Sequence, residues 1–296
     1  MTHFSPGLKL LLLFLIMLVA TVLTSLLTGF FGWYLFGDMQ FDPLLLLEHV
    51  SLLKLLQVIQ TVVVFIVPAL IAAKLFWPES VEGLTESRGV NLKLIFSAGI
   101  TMALSQYFIG WSGSVNSQIV LPEGWSAVSA WVERTEQEAM ELTGALTQYS
   151  THSGFSLNII IIALLPAIGE EWFFRGHVQR YFSEWFKNVH LSIFITAILF
   201  SAMHLQFMTF LPRFFLGLIL GYLFYLGGNL WYSVAGHFTN NFLALMAMRG
   251  QEKLETVDAG KVPEVHFSAG VVISALAVIG MLFFISRIRY ADRDRR

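Results

Sequence analysis

The chain contains no cysteine. Disulfide bridges, thiolate nucleophiles and cysteine-ligated metals are therefore excluded. Charge is scarce as well: Asp, Glu, Lys and Arg make up 13% of the residues, against roughly 25% in soluble proteins. The formal net charge is −2, so the composition offers no basic surface for nucleic acid. The hydrolytic zinc signature His-Glu-x-x-His occurs nowhere in the sequence. Internal repeats and low-complexity tracts are lacking too, and no stretch reads as a soluble domain.

What is present is apolar. The chain of 296 residues is 56% hydrophobic, with a mean hydropathy of +0.68. About 20 apolar residues cross a bilayer as a helix, and runs of that kind recur from end to end. The reading is an all-α, polytopic membrane protein with about eight spans. They cover Leu8–Phe31, Leu53–Trp77, Leu92–Trp111, Phe155–Phe174, Leu191–His204, Leu211–Leu226, Leu230–Met248 and Phe267–Ile288. The first run exceeds the roughly 7–15 apolar residues of a signal peptide and lacks a small-residue cleavage site, so it reads as a span.

Three regions follow from this pattern. Residues 1–154 hold the N-terminal spans and an external segment, residues 155–250 the helices that carry polar motifs, and residues 251–296 the last span and a basic tail. Lys and Arg mark cytoplasmic loops. The tail carries Arg287, Arg289, Arg293, Arg295 and Arg296, and the stretch after span four carries Arg175, Arg180 and Lys187. Both are read as cytoplasmic. Ser112–Gly154 has Glu123, Glu133, Glu136, Glu138 and Glu141 against a single Arg134, and reads as external. The expectation is a multi-pass protein of a bacterial cytoplasmic membrane with both termini inside. Within the external segment, Trp125–Gln148 has helical periodicity, with Trp125, Val128, Trp131 and Val132 along one side.

Ionised groups at membrane depth cost at least about 2.5–3.5 kcal/mol each and mark function by default. Three lie together in Gly169-Glu170-Glu171-Trp172-Phe173-Phe174-Arg175-Gly176. Glu171 and Arg175 are four apart and share a helix face. Glu170 is turned about 100° away. One glutamate is thus paired and the other is left for chemistry, unless all three only mark a helix end reaching for water. Span five ends in Phe200-Ser201-Ala202-Met203-His204. Span seven contains Ala235-Gly236-His237-Phe238-Thr239-Asn240-Asn241. His237 and Asn241 share a face, Asn240 lies near it, and spacing does not choose between the two asparagines. Polar residues of this kind also serve as glue between helices.

The order Glu-Glu-x-x-x-Arg, Phe-x-x-x-His, His-x-x-x-Asn resembles the CPBP family of intramembrane endopeptidases. That family includes the CAAX prenyl endopeptidases of the Ras-converting type and bacterial relatives linked to bacteriocin processing, immunity and abortive infection. The matching residues are Glu170, Glu171 and Arg175; Phe200 and His204; His237 and Asn241. Phe215-Leu216-Gly217-Leu218-Ile219-Leu220-Gly221 and Gly228-Asn229-Leu230-Trp231 also fit, and the resemblance spans roughly Ser156–Met248.

The resemblance implies a glutamate-dependent peptidase with its site in a membrane-embedded cavity. By it, Glu170 is the base, His204 helps hold the water, His237 and Asn241 stabilise the oxyanion, and Glu171, Arg175 and Phe200 support them. It implies a membrane-associated peptide or protein as substrate and the bilayer as partner; no cofactor is expected, because zinc on Glu170 and both histidines would leave no base. The chemistry agrees: amide hydrolysis needs an activated water and fixed donors for the oxyanion. Two alternatives stand beside this reading. Glu170, His204 and His237 could instead hold zinc with one position open. From a different class, the chain could be a non-enzymatic immunity or binding protein, or a small-solute carrier. One tension is internal. If span five crosses the whole bilayer, His204 ends on the side opposite Glu170, so that span must start within the membrane, tilt strongly, or stop short.

Overall fold

A computed structural model of the protein describes residues 4–37, 43–76, 89–149, 151–254 and 266–294. Among these, nine long helices are formed. Helix α1 spans Pro6–Phe36. Ser5 caps it by accepting from the Leu8 amide, Pro6 occupies the first turn, and Gly37 ends it in the left-handed conformation. Helix α2 spans Val50–Phe76, with a π-helical turn at Val62–Ile66. Helix α3 spans Leu92–Ser117 and is capped by Asn91. Helix α4 spans Ser126–Thr147.

Helix α5 spans His152–Phe186, 35 residues with π-helical stretches at Ile159–Leu164 and Phe174–Val178. Helix α6 spans Val189–Ala202, capped by Asn188, which accepts from the amides of His190 and Leu191. A short 3-10 turn at Phe207–Thr209 leads into α7, Phe210–Gly227. Helix α8 spans Leu230–Leu254 and α9 spans Ala269–Asp294.

Helix α3 packs against α7, α8 and α9, while α5 packs against α2, α6 and α8. A continuous core runs between them, built from Leu13, Met102, Phe173, Phe174, Phe200, Leu220 and Ile285. Close approach is set by two glycines of α7. A Cβ on Gly217 would lie 3.0 Å from the Ala197 backbone, and one on Gly221 would lie 2.7 Å from Ile193. Any side chain there would push α6 away. By contrast α1 leaves Leu11, Leu15 and Leu18 more than half exposed. An apolar face of that kind suits lipid.

Six helices are long and apolar enough to cross a membrane: α1, α2, α3, α5, α7 and α9. The all-α, multi-pass architecture is thus present, while α6 and α8 of the eight expected spans do not meet that measure. Helix α6 has 14 residues, about 21 Å of rise, short of a hydrocarbon core of about 30 Å. Helix α8 has 25 residues but carries the polar motif His237–Asn241.

Two expected boundaries change. The sequence pattern ends span four at Phe174 and puts Arg175 and Arg180 in the following loop. The helix instead continues to Phe186. The reason is local: Arg175 is fully buried and paired, so the drop in hydropathy there is not an exit to water. Glu170 therefore sits near the middle of α5, not at its end. In α4 the packed residues are Val132, Glu136, Ala145 and Thr147, while Trp125, Val128 and Trp131 of the expected stripe are exposed. Trp77, Arg295 and Arg296 lie outside the described residues.

Candidate active site

Glu171 and Arg175 stand one turn apart on α5, both fully buried. Arg175 Nη1 donates to Glu171 Oε1 at 2.7 Å, and its Nη2 donates to the Gly217 carbonyl at 2.9 Å. Gly217 is the same glycine that lets α7 close on α6. The guanidinium also lies 4.8 Å from the centre of the Phe200 ring, a cation–π geometry. One turn further along α5, Gln179 Nε2 repeats the pattern by donating to the Gly221 carbonyl at 3.2 Å.

Glu171 has a second partner that its spacing from Arg175 does not reveal. His237 Nδ1 donates to the same Oε1 at 2.9 Å. The carboxylate thus holds an arginine of its own helix and a histidine of α8, and it fixes the histidine's ring orientation. His237 Nε2 then faces away from Glu171 and lies 3.8 Å from Glu170 Oε2. That separation is too long for a direct hydrogen bond. Glu170 Oε2 is buried and has no hydrogen-bond partner among the described residues. A buried carboxylate oxygen without a partner is costly and calls for an explanation.

His204 reaches the same place by a different route. Helix α6 stops at Ala202, and Leu205 takes a left-handed backbone (φ 53°). Non-glycine residues adopt that region seldom, and here it reverses the chain toward α7. The reversal is pinned from several sides. Ser201 Oγ donates to the Phe210 carbonyl at 2.6 Å. Asn116 of α3 donates to the Phe207 carbonyl and accepts from the Leu211 amide, each at 2.7 Å. Glu136 of α4 accepts from the Met208 amide at 2.9 Å. His204 Nδ1 donates to the Phe200 carbonyl at 2.8 Å, which leaves Nε2 as the free acceptor of the neutral ring. Phe200 itself touches both histidine rings and Phe174 by its edges or face, at 5.1–5.8 Å between centroids.

Glu170, His204, His237, Asn240 and Asn241 line one cavity of about 400 Å³ between α5, α6, α7 and α8. The two asparagines differ in their commitments. Asn240 accepts from Gln106 of α3 at 3.3 Å and donates to Asn241 Oδ1 at 3.3 Å. Asn241 Nδ2 has only a long contact, 3.5 Å, to the Ala163 carbonyl. It is the freer donor. The cavity wall also includes Gln57, Gln206 and Arg213, together with Thr143 and Leu146 of α4. Sequence reasoning passed over Gln57, Gln106, Asn116 and Arg213, although each is a polar residue within an apolar run, the same signal that marked Glu170. Among the described residues, no three His, Asp or Glu side chains are grouped to hold a metal ion. That holds for Glu170, His204 and His237 as well.

An all-α membrane protein with a glutamate and two histidines facing one internal cavity has the form of an intramembrane hydrolase. Residues 152–243 match the family model described as Type II CAAX prenyl endopeptidase Rce1-like. The match covers α5 to the middle of α8, and so all the motif residues. This segment is thus similar to the CAAX endopeptidase family, which supports a peptidase of that type. The match covers about a third of the chain. No curated protein and no solved structure matches it.

Proposed function

We propose that the protein hydrolyses a peptide bond of a membrane-associated peptide or protein, with Glu170 as general base. The observation that carries this reading is the partnerless Glu170 Oε2, 3.8 Å from His237 Nε2 in the shared cavity. A water fits the chemistry of that gap. Its two hydrogens would be accepted by Glu170 and by Nε2 of His204. Glu170 takes one proton as the water oxygen bonds to the scissile carbonyl carbon. The oxyanion is met by Asn241 Nδ2 and by His237, which can carry a proton on Nε2 while Glu171 holds its Nδ1–H. The C–N bond then breaks and Glu170 returns the proton to the leaving nitrogen. One water is consumed, and a carboxyl and an amine end are released. Glu171, Arg175 and Phe200 position the histidines.

In this mechanism zinc has no role, because it would take Glu170, His204 and His237 as ligands and leave no base. Activity is expected to survive exhaustive chelation. Zinc at unit occupancy, with activity lost on chelation and restored by the metal, would replace the mechanism and keep the peptidase. The substrate is tested with a trap: the Glu170→Gln protein is expressed in its native host, and captured or accumulated peptides are compared with wild type by mass spectrometry. Enrichment of the same peptides that wild type removes is the expected result. An unchanged peptide pattern, in cells where Glu170→Gln still confers the wild-type phenotype, would favour a binding-only immunity protein.

A further inference from the structure

Two arginines of the motif region, the fully buried Arg175 and the partly buried Arg213, are treated differently. Arg175 is neutralised by Glu171. Arg213, on α7, lines the cavity, and its guanidinium donates only to the neutral oxygens of Gln206 and Thr209. Among the described residues no carboxylate forms an ion pair with it. Glu136 and Glu170 lie within electrostatic reach, but Glu136 already accepts from the Met208 amide. A guanidinium has five N–H donors, so donor capacity remains after the two bonds made. A partly buried guanidinium whose nearest carboxylates make no direct ion pair with it has room for an anionic partner in contact. Its place is in the same cavity as the candidate base.

We propose that Arg213 is the receptor for the free C-terminal carboxylate of the substrate. The inference rests on the peptidase reading for its ligand, and it assigns recognition of the substrate's C-terminal end to one residue. Guanidinium and carboxylate match as planar, two-pronged partners. Gln206 and Thr209 hold the guanidinium in place, and their neutral acceptors leave its charge for the incoming anion. A cavity of about 400 Å³ suits a segment of a few residues. With the carboxylate held at Arg213, only a bond a short distance upstream can lie over Glu170. Arg213 thus acts as a ruler that sets how much is removed.

The test uses full-length Glu170→Gln protein in lipid nanodiscs and one fluorescent probe in two forms. The probe is a farnesylated cysteine followed by three aliphatic residues, as the free acid and as the C-terminal amide. The acid should bind about 10- to 100-fold more tightly than the amide, the range of a charge-assisted hydrogen bond. Adding Arg213→Gln should bring acid affinity down to the amide level and leave amide affinity unchanged. Arg213→Lys should restore part of the preference, which also covers the case in which the glutamine variant fails to fold. Equal binding of acid and amide would overturn the inference. So would a preference that persists in Arg213→Gln, an equal fall for both forms, or no binding of either. Turnover by wild type separates the two readings. Acid preference without cleavage removes the peptidase reading and leaves a carboxylate receptor. Cleavage without acid preference removes the receptor and leaves the peptidase.

Discussion

Glu170 and Glu171 are neighbours in sequence and opposites in environment. Glu171 belongs to a closed layer with Arg175, His237, Phe200 and the Gly217 carbonyl, where each charge meets a partner. Glu170 belongs to an open face with His204, Asn241 and Arg213, where polar atoms look into a cavity with capacity left over. The closed layer resembles a buried salt bridge in any protein: its charges are paired, although Glu171 Oε2 and Arg175 Nε have no hydrogen-bond partner among the described residues, and removing one member is costly. The open face is incomplete until water and substrate arrive. The contrast teaches that charge at membrane depth is not one signal. Whether it is structural or chemical depends on whether its partners are already inside the protein.

The largest expected effect is at the open face. Glu170→Gln should lower turnover by about 10²–10⁴-fold, the usual worth of a general base, with the thermal midpoint unchanged. Retained activity would break the comparison, because the partnerless carboxylate would then have no chemical use. Next comes the closed layer. Arg175→Ala leaves Glu171 buried without its cation, and a broken buried pair costs about 3–5 kcal/mol. The readout is yield and thermal midpoint in detergent. Glu171→Ala should lose stability similarly and also slow turnover, since His237 loses its orienting acceptor. Two fully stable variants with dead activity would move Glu171 into the catalytic set. The smallest effect sharpens the boundary between the asparagines. Asn241→Ala should cost about 10²–10³-fold in kcat, the worth of one oxyanion donor. Asn240→Ala should cost less than about tenfold, because its amide is engaged with Gln106 and Asn241. The reverse order in kinetic assays would reassign the donor.

The legible part of this molecule was local. Apolar runs located the helices, and i, i+4 spacing paired Glu171 with Arg175, because both signals depend on neighbours in sequence. The contact between Glu171 and His237 joins residues 66 apart, and no spacing rule reaches that far. The length of α5 was misjudged for a related reason. Arg175 looks like an exit to water until Phe200, from another helix, is seen lying against it. His204 posed the same difficulty in a different form. Its position depends on a left-handed Leu205 and on Asn116 holding the reversed chain, and nothing in Phe200–His204 announces either. Arg213 was visible as a lone cation in an apolar run. It was passed over because it matched no motif.

The π-helical stretches of α5 have a consequence for how this sequence can vary. Each such turn holds one residue more than an α-turn. Elsewhere in a helix, deleting one residue swings everything beyond it by about 100°. Inside Ile159–Leu164 or Phe174–Val178, a single deletion would instead relax the turn to ordinary α geometry and leave the faces on either side in phase. The helix carries slack at two places, one before Glu170 and one after Glu171. Gaps in relatives of this chain should gather there, and no single helical wheel can describe the residues on both sides of the glutamate pair.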